Sequence, residues 1–184
     1  MPLAQLMQCL RPTYSASLSS SSFTCGPEIY WADAIAAINS GEAEGTITLT
    51  GNMKLAETIT IQKSVTINGN GYTVARADGA RSSFTGAMFQ VAAGTTLTLE
   101  NIHADGGAKW TGEINPVLLR GTTNEGITAD GAIIKTVGNG NIILNNGAVV
   151  ENNDGSNAIF LETRKGGTLT LNGGEIINNS SAAG

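Results

Sequence analysis

A short pattern of two apolar strands separated by an asparagine–glycine corner recurs in the second half of the chain. It is clearest at residues 166–179, GGTLTLNGGEIINN, and it occurs again at residues 141–153, NIILNNGAVVENN. Leu144 and Leu171 occupy equivalent positions, 27 residues apart. A repeat of this length is typical of solenoid architectures, in which each copy buries its apolar side against its neighbours.

Two further copies lie upstream, SVTINGNG at residues 64–71 and TTLTLENIHADGG at residues 95–107. Strands this short are stable only if each one bonds to the copies above and below it, about 4.8 Å away. The pattern therefore predicts an all-β parallel β-helix of about five coils. Aligning the four copies predicts an inward apolar column of Ile67, Leu99, Leu144 and Leu171, followed by a corner column of Asn68, Glu100, Asn145 and Asn172.

The segments GTLTLNGGEIINNSSA, SVTINGNG and TTLTLENI resemble the right-handed parallel β-helix repeats of bacterial surface proteins. This pectin-lyase-like fold is shared with polymorphic outer-membrane proteins and adhesins, and the resemblance covers residues 45–184. It implies right-handed winding and an extracellular or cell-surface location. It does not select an activity, because the same coil carries lyases, glycoside hydrolases, phage tailspikes and non-catalytic adhesins.

The first part of the chain has a different pattern. Residues 1–26 contain few periodic apolar residues and a Ser-rich run, which predicts a loosely ordered tail ahead of a β-helix domain over residues 27–184. Within residues 31–39, helical spacing of the apolar residues predicts a short helix that caps the first coil. Cys9 and Cys25 lack the spacing of a metal site, so free thiols and a disulfide between them both remain open.

Composition excludes some classes of function. Charged residues make up only 14% of the 184 residues and the net charge is −5, so the chain offers no basic surface for nucleic acid. No run of 18 apolar residues occurs, which predicts that no helix spans a membrane. The first ten residues, MPLAQLMQCL, are not a clear secretory signal. We expect the sequence to be a piece of a longer surface protein.

The repeat is interrupted over residues 105–130, where VLLR at residues 117–120 is the only strand-like piece. Insertions at the corners of a solenoid commonly form its binding face. The candidate binding residues in this predicted loop are Lys109, Trp110, Glu113 and Arg120. Trp110 either stacks on a sugar ring beside these polar groups or closes the insertion over the coil surface, and both alternatives remain open.

No catalytic residue is assigned from the sequence. Four aspartates each precede a glycine: Asp78, Asp105, Asp130 and Asp154. This pattern indicates either turn chemistry or an acidic row that binds Ca²⁺. Ca²⁺ is the one cofactor that these residues leave open. His103 is the sole histidine, and strand alternation predicts that it points outward. With one histidine, neither a Ser-His-Asp set nor a Cys-His pair is indicated.

Three functions follow as hypotheses. The first is a non-catalytic structural or adhesive module that binds a host or cell-surface glycan or protein. The second is a polysaccharide lyase or glycoside hydrolase, which requires a carboxylate cluster with a basic neighbour on one coil face. The third is an ice-binding protein, suggested by repeated Thr-x-Thr, although the alignment interrupts the threonine array at Ile143. We expect the natural protein to continue with further coils or a cap, and we expect this 184-residue piece alone to self-associate through its C-terminal coil.

Overall fold

The computed structural model describes residues 45–78 and 83–181, together with the backbone of Ser21–Cys25 and with Ala36. The cap helix predicted over residues 31–39 lies outside the described residues, apart from Ala36. The same is true of the predicted tail, apart from its residues 21–25, which form a strand. Among the described residues, no helix is long and apolar enough to cross a bilayer.

The described chain is all-β, with one short 3-10 helix at Thr163–Lys165. In chain order its strands are β1 Ser21–Cys25, β2 Gly45–Leu49, β3 Met53–Leu55, β4 Ile59–Ile61, β5 Val65–Asn68, β6 Thr73–Arg76, β7 Phe89–Val91, β8 Thr96–Glu100, β9 Ile102–Asp105, β10 Trp110–Asn115, β11 Arg120–Asn124, β12 Ile134–Thr136, β13 Asn141–Asn145, β14 Ala148–Glu151, β15 Ile159–Phe160, β16 Thr168–Asn172 and β17 Glu175–Ile177. The strands are short because a polar or glycine-containing corner follows almost every one.

All strands except β10 and β11 belong to three parallel sheets. The first sheet has the order β1-β2-β5-β8-β13-β16, the second β17-β14-β9-β6-β3 and the third β15-β12-β7-β4. From β2 onward the chain passes from the first sheet to the second and then the third, makes this passage four times, and continues into β16 and β17. The predicted parallel pairing between successive copies of the repeat is therefore confirmed.

The predicted inward column is also confirmed. Ile67 pairs with Leu99, Leu99 with Leu144, and Leu144 with Leu171 in the register of the first sheet. The first three of these side chains are fully buried, because every second residue of each strand faces the core. Leu171 lies on the outermost strand β16 and is 53% exposed. Fully burying one such aliphatic side chain contributes about 1.5–3 kcal/mol, so the stacked column is a main source of stability.

The outward positions of the first sheet hold an incomplete threonine array. Thr46, Thr66 and Thr98 are aligned, Ile143 follows, and Thr170 completes the column. The predicted interruption at Ile143 is thus confirmed. A flat, continuous threonine surface is not formed, and ordinary β-propensity accounts for these residues.

The corners require a left-handed backbone that asparagine tolerates. Asn70, Asn101, Asn152 and Asn178 all have φ between 48° and 58°. The asparagine side chains also bond along the stack as predicted: Asn172 Nδ2 lies 3.3 Å from Asn145 Oδ1. Asparagines at the corners therefore set both the turn and part of the contact between neighbouring strands.

We expect Asn145→Leu to lower the free energy of unfolding by about 1 kcal/mol, because Asn172 loses its side-chain partner and a hydrogen bond of this kind has that net value. Chemical denaturation measures the change. The exposed Asn139 provides the control, since Asn139→Leu is expected to leave the midpoint unchanged. Equal midpoints for Asn145→Leu and the unmodified protein would contradict the stacking of these corners.

One predicted strand is wrong. VLLR does not extend a sheet, because residues 116–119 form the turn of an antiparallel hairpin made by β10 and β11. Asn115 and Pro116 begin the turn: Asn115 Oδ1 accepts the N–H of Val117 at 2.9 Å and that of Leu118 at 3.1 Å. The insertion predicted as a loop is therefore largely this hairpin.

Candidate functional site in the hairpin insertion

A buried polar cluster fixes the base of the insertion. Arg76 is only 1% exposed, and its guanidinium donates to the carbonyl of Gly86, to that of Gly131 at 2.7 Å, to that of Ala132 at 3.2 Å and to Asn153 Oδ1 at 3.2 Å. Burial lowers the pKa of Arg76 to about 10, so the group remains charged at neutral pH. The cluster joins the end of β6 to the segments that precede β7 and β12.

Both ends of the insertion meet this cluster. The chain enters it through Gly106, where an added Cβ would lie 2.7 Å from Asn153 Oδ1, and returns to the third sheet through Gly131. Asn153 is fully buried and donates to the carbonyls of Ser156 at 2.8 Å and Asn157 at 3.0 Å. Because its two ends are bonded to the core, the insertion is attached to the scaffold at a defined base.

Trp110 and Arg120 brace the hairpin against the end of the second sheet. The indole N–H of Trp110 donates to the carbonyl of Asn178 at 2.9 Å. Arg120 stacks over the indole, with its guanidinium carbon 4.2 Å from the ring centroid, and donates to Ser180 Oγ at 3.0 Å. A cation stacked on a tryptophan adds to the burial of both side chains. The structure thus brings together two of the four predicted binding residues.

The other two predicted binding residues are placed differently. Lys109 Nζ lies 3.3 Å from Asp78 Oδ2, and both side chains are exposed. The hydrogen bond from Lys109 is the main cause that lowers the pKa of Asp78. Glu113 lies on β10 and is exposed. Lys109 therefore contributes a surface ion pair, which typically has little effect on stability, and Glu113 belongs to the free surface of the hairpin.

The most exposed part of the insertion is an apolar tip that sequence reasoning missed. Ile114 is 72% exposed, Val117 85%, Leu118 48% and Leu119 71%. Val117, Leu118 and Leu119 also line a groove of about 410 Å³ together with Ile176 and Ile177 of β17 and the asparagines that follow. The available signal was Asn115–Pro116, because this dipeptide favours a turn and would have placed VLLR at a hairpin end.

A second group of polar residues lies on the outer face of the second sheet. His103 is about half exposed, as predicted, and its Nδ1 lies 2.7 Å from Glu151 Oε1. Asp105 pairs directly with Glu151 in the register of β9 and β14. Burial is the main cause that raises the pKa of Asp105, and Glu151 adds to it. An open groove of about 420 Å³ lies beside the imidazole, lined by Asn68, Asn70, Gly71, Asn101, His103 and Gly147.

The aspartates that precede glycine make hydrogen bonds within and between turns. Asp105 Oδ1 accepts the N–H of Gly107 at 2.8 Å, which confirms turn chemistry at this position. Asp130 accepts from the hydroxyl of Thr85 at 2.7 Å. Among residues 45–78 and 83–181, no group of three or more His, Cys, Asp or Glu side chains is arranged to hold a metal ion. The acidic row that would bind Ca²⁺ is therefore not formed by these residues.

Asp105 makes the stability of the protein depend on pH in a defined direction. Because its pKa is raised in the folded state, the stability it contributes is present below its unfolded pKa, about 3.9, and is lost as the pH rises through the folded value. We expect Asp105→Asn to have a higher melting temperature than the unmodified protein at pH 7, since an amide keeps the acceptor for Gly107 without the buried charge. The difference should shrink below pH 4. Thermal melts across this range test the prediction, and a lower melting temperature at pH 7 would contradict it.

Compared with protein-family models, with curated proteins and with solved structures, the chain matches none. Its function is therefore argued from the arrangement of its own residues. Two surfaces are available: the hairpin with its apolar tip above Trp110 and Arg120, and the outer face of the second sheet with His103, Glu151 and Asp105.

Proposed function

We propose that the chain is a right-handed parallel β-helix of the pectin-lyase-like type, with about five coils. The support for this fold is the repeated passage between three parallel sheets and the aligned column of Ile67, Leu99 and Leu144. The right-handed winding rests on the resemblance of the repeats to bacterial surface proteins and on the strong preference of parallel crossovers for that hand.

On this basis we assign the chain a non-catalytic role, as an adhesive module of a bacterial cell-surface or secreted protein. The observation that carries the assignment is the hairpin: it projects an exposed apolar tip while Trp110 and Arg120 hold its base against Asn178 and Ser180. An apolar surface presented by a braced loop loses little conformational entropy when it binds a partner. The scaffold supplies rigidity and the hairpin supplies the contact.

Binding to whole cells and to immobilised polysaccharides tests this role. The protein, fluorescently labelled, is expected to be retained by bacterial or host cells, and Val117→Asp at the tip is expected to weaken retention at least about tenfold. Val137→Asp is the control for adding a charge outside the hairpin, because Val137 is also a valine and is 37% exposed; a melting temperature equal to that of the unmodified protein shows that this control is folded. Equal retention of the two variants and the unmodified protein would contradict the assignment to the hairpin.

A polysaccharide lyase or glycoside hydrolase is the second candidate, and one observation favours it. His103, Glu151 and Asp105 bring two carboxylates and a basic group together, and of these three residues His103 also lines an open groove. With Nδ1 held by Glu151, the other ring nitrogen of His103 is the one available for proton transfer to a substrate. Incubation with acidic and neutral polysaccharides, with and without Ca²⁺, detects new reducing ends or unsaturated products. If the unmodified protein degrades a polysaccharide and Glu151→Gln does not, the protein is an enzyme of this class and the assignment of a non-catalytic adhesive role is wrong.

A further inference from the structure

The apolar tip of the hairpin is exposed on several sides. Val117 and Leu119 in the turn and Ile114 near the end of β10 are each more than 70% exposed. A flat protein interface can cover one face of such a projection but leaves the others in water. A fluid apolar phase surrounds all of them, which makes the shape of the tip suitable for a lipid surface.

The N–H groups of the turn at the tip all have acceptors within the hairpin or are absent. Pro116 has no N–H, and Asn115 Oδ1 accepts the N–H groups of Val117 and Leu118. The N–H of Leu119 donates to the carbonyl of Asn115 at 2.7 Å. The four residues of the turn therefore present no unbonded N–H group, which would otherwise be costly to remove from water.

Leu119 has a backbone conformation that does not suit leucine. Its φ is 51°, and every other non-glycine residue with positive φ in the described chain is an asparagine. A branched apolar residue in this region is strained relative to asparagine or glycine. Asparagine or glycine would suit this backbone conformation better, so the strained leucine points to a role for its apolar side chain in binding.

We propose that the hairpin tip inserts into the interfacial region of a lipid bilayer, with Val117, Leu118 and Leu119 among the acyl chains. The inference rests on the proposed function and names the partner of the same hairpin. The net charge is −5 and Glu113 beside the tip is exposed, while the guanidinium of Arg120 is stacked on Trp110 and bonded to Ser180, so anionic headgroups are not favoured. Zwitterionic lipid is therefore the surface that fits, and apolar burial drives the binding.

Sedimentation of the whole protein with phosphatidylcholine vesicles tests the proposal. We expect binding that persists at high salt, and Leu119→Asn is expected to weaken it at least tenfold while the melting temperature stays equal or rises. This variant separates binding from folding, because asparagine suits the left-handed conformation. Val137→Asn, at an exposed apolar site outside the hairpin, is expected to bind vesicles as the unmodified protein does.

A tryptophan introduced at the tip gives an independent readout. The fluorescence of Leu118→Trp is expected to shift to shorter wavelength when vesicles are added, since the indole enters an apolar phase. No binding to phosphatidylcholine vesicles, or binding only to anionic vesicles that salt abolishes, would overturn the proposal. Self-association that is lost in Leu119→Asn, without vesicle binding, would overturn it in favour of a second copy of the chain. Retention by cells without vesicle binding would leave the adhesive role in place and exclude lipid as its partner.

Discussion

Replacing Arg76 by alanine is expected to lower the free energy of unfolding by about 3–5 kcal/mol, because several buried acceptors lose their donor together. The carbonyls of Gly131 and Ala132 and the side-chain oxygen of Asn153 all lie within 3.2 Å of the guanidinium. Removing the side chain also leaves a space at the corner between the second and third sheets. Denaturant unfolding of the purified variant measures the loss.

Arg164 provides the matched control for this substitution. It is an exposed arginine in the 3-10 helix, and Arg164→Ala is expected to change the free energy of unfolding by less than about 0.5 kcal/mol. The difference between the two variants isolates the effect of burial from the loss of a positive charge. Similar unfolding midpoints for the two variants would show that the corner cluster does not stabilise the fold.

Gly106→Ala is expected to destabilise the protein by about 3 kcal/mol, because the added methyl group has no room. A Cβ at this position would lie 2.6 Å from the carbonyl oxygen of Asn152 and 2.7 Å from the Cα of Asn153. The neighbouring backbone would have to move, and with it the buried amide of Asn153 that bonds to Arg76. Thermal and denaturant unfolding both report the change.

Gly51→Ala tests the same substitution at an open position. No atom lies within 4 Å of the Cβ that would be added at Gly51, so this variant is expected to be neutral or slightly more stable than the unmodified protein. A Gly106→Ala variant as stable as Gly51→Ala would mean that the chain near Asn153 is packed less closely than the structure shows.

The sequence was sufficient to predict the stacked part of the fold. The equivalence of Leu144 and Leu171 across two copies of one pattern gave the register of β13 and β16, because the same residues must face the core in each copy. The Asn–Gly corners were recognisable for a similar reason, since few residues tolerate a left-handed backbone. Repetition makes such features visible in a single sequence.

The buried Arg76 was not predicted, because an arginine in a strand is usually solvated. Alternation in TVAR places Arg76 on the same face as Val74, and this was the signal available. What compensates the buried charge could not be predicted, since its acceptors come from segments far along the chain, including Gly131 and Asn153. Contacts that depend on tertiary structure leave no local pattern.

In the hairpin insertion, the local sequence pattern was visible but predicted the wrong element. Four consecutive residues, VLLR, resemble a strand by composition, yet three of them form an exposed turn because Asn115 bonds to the turn N–H groups. The predicted binding residues Trp110 and Arg120 did come together, although their contact braces the hairpin against Asn178 and Ser180. The apolar tip became apparent only once this brace had set the position of the hairpin.

Disulfide formation between neighbouring strands is the most direct test of their parallel stacking, which positions both the hairpin and the outer face of the second sheet. In a chain with Cys9 and Cys25 changed to serine, Thr98→Cys with Ile143→Cys is predicted to form an intramolecular disulfide on mild oxidation. The two residues are paired on β8 and β13, and adjacent strands about 4.8 Å apart suit disulfide geometry. Thr66→Cys with Ile143→Cys, two strands apart, is predicted to stay reduced. Cross-linking of the second pair, or none in the first, would contradict the stacking order.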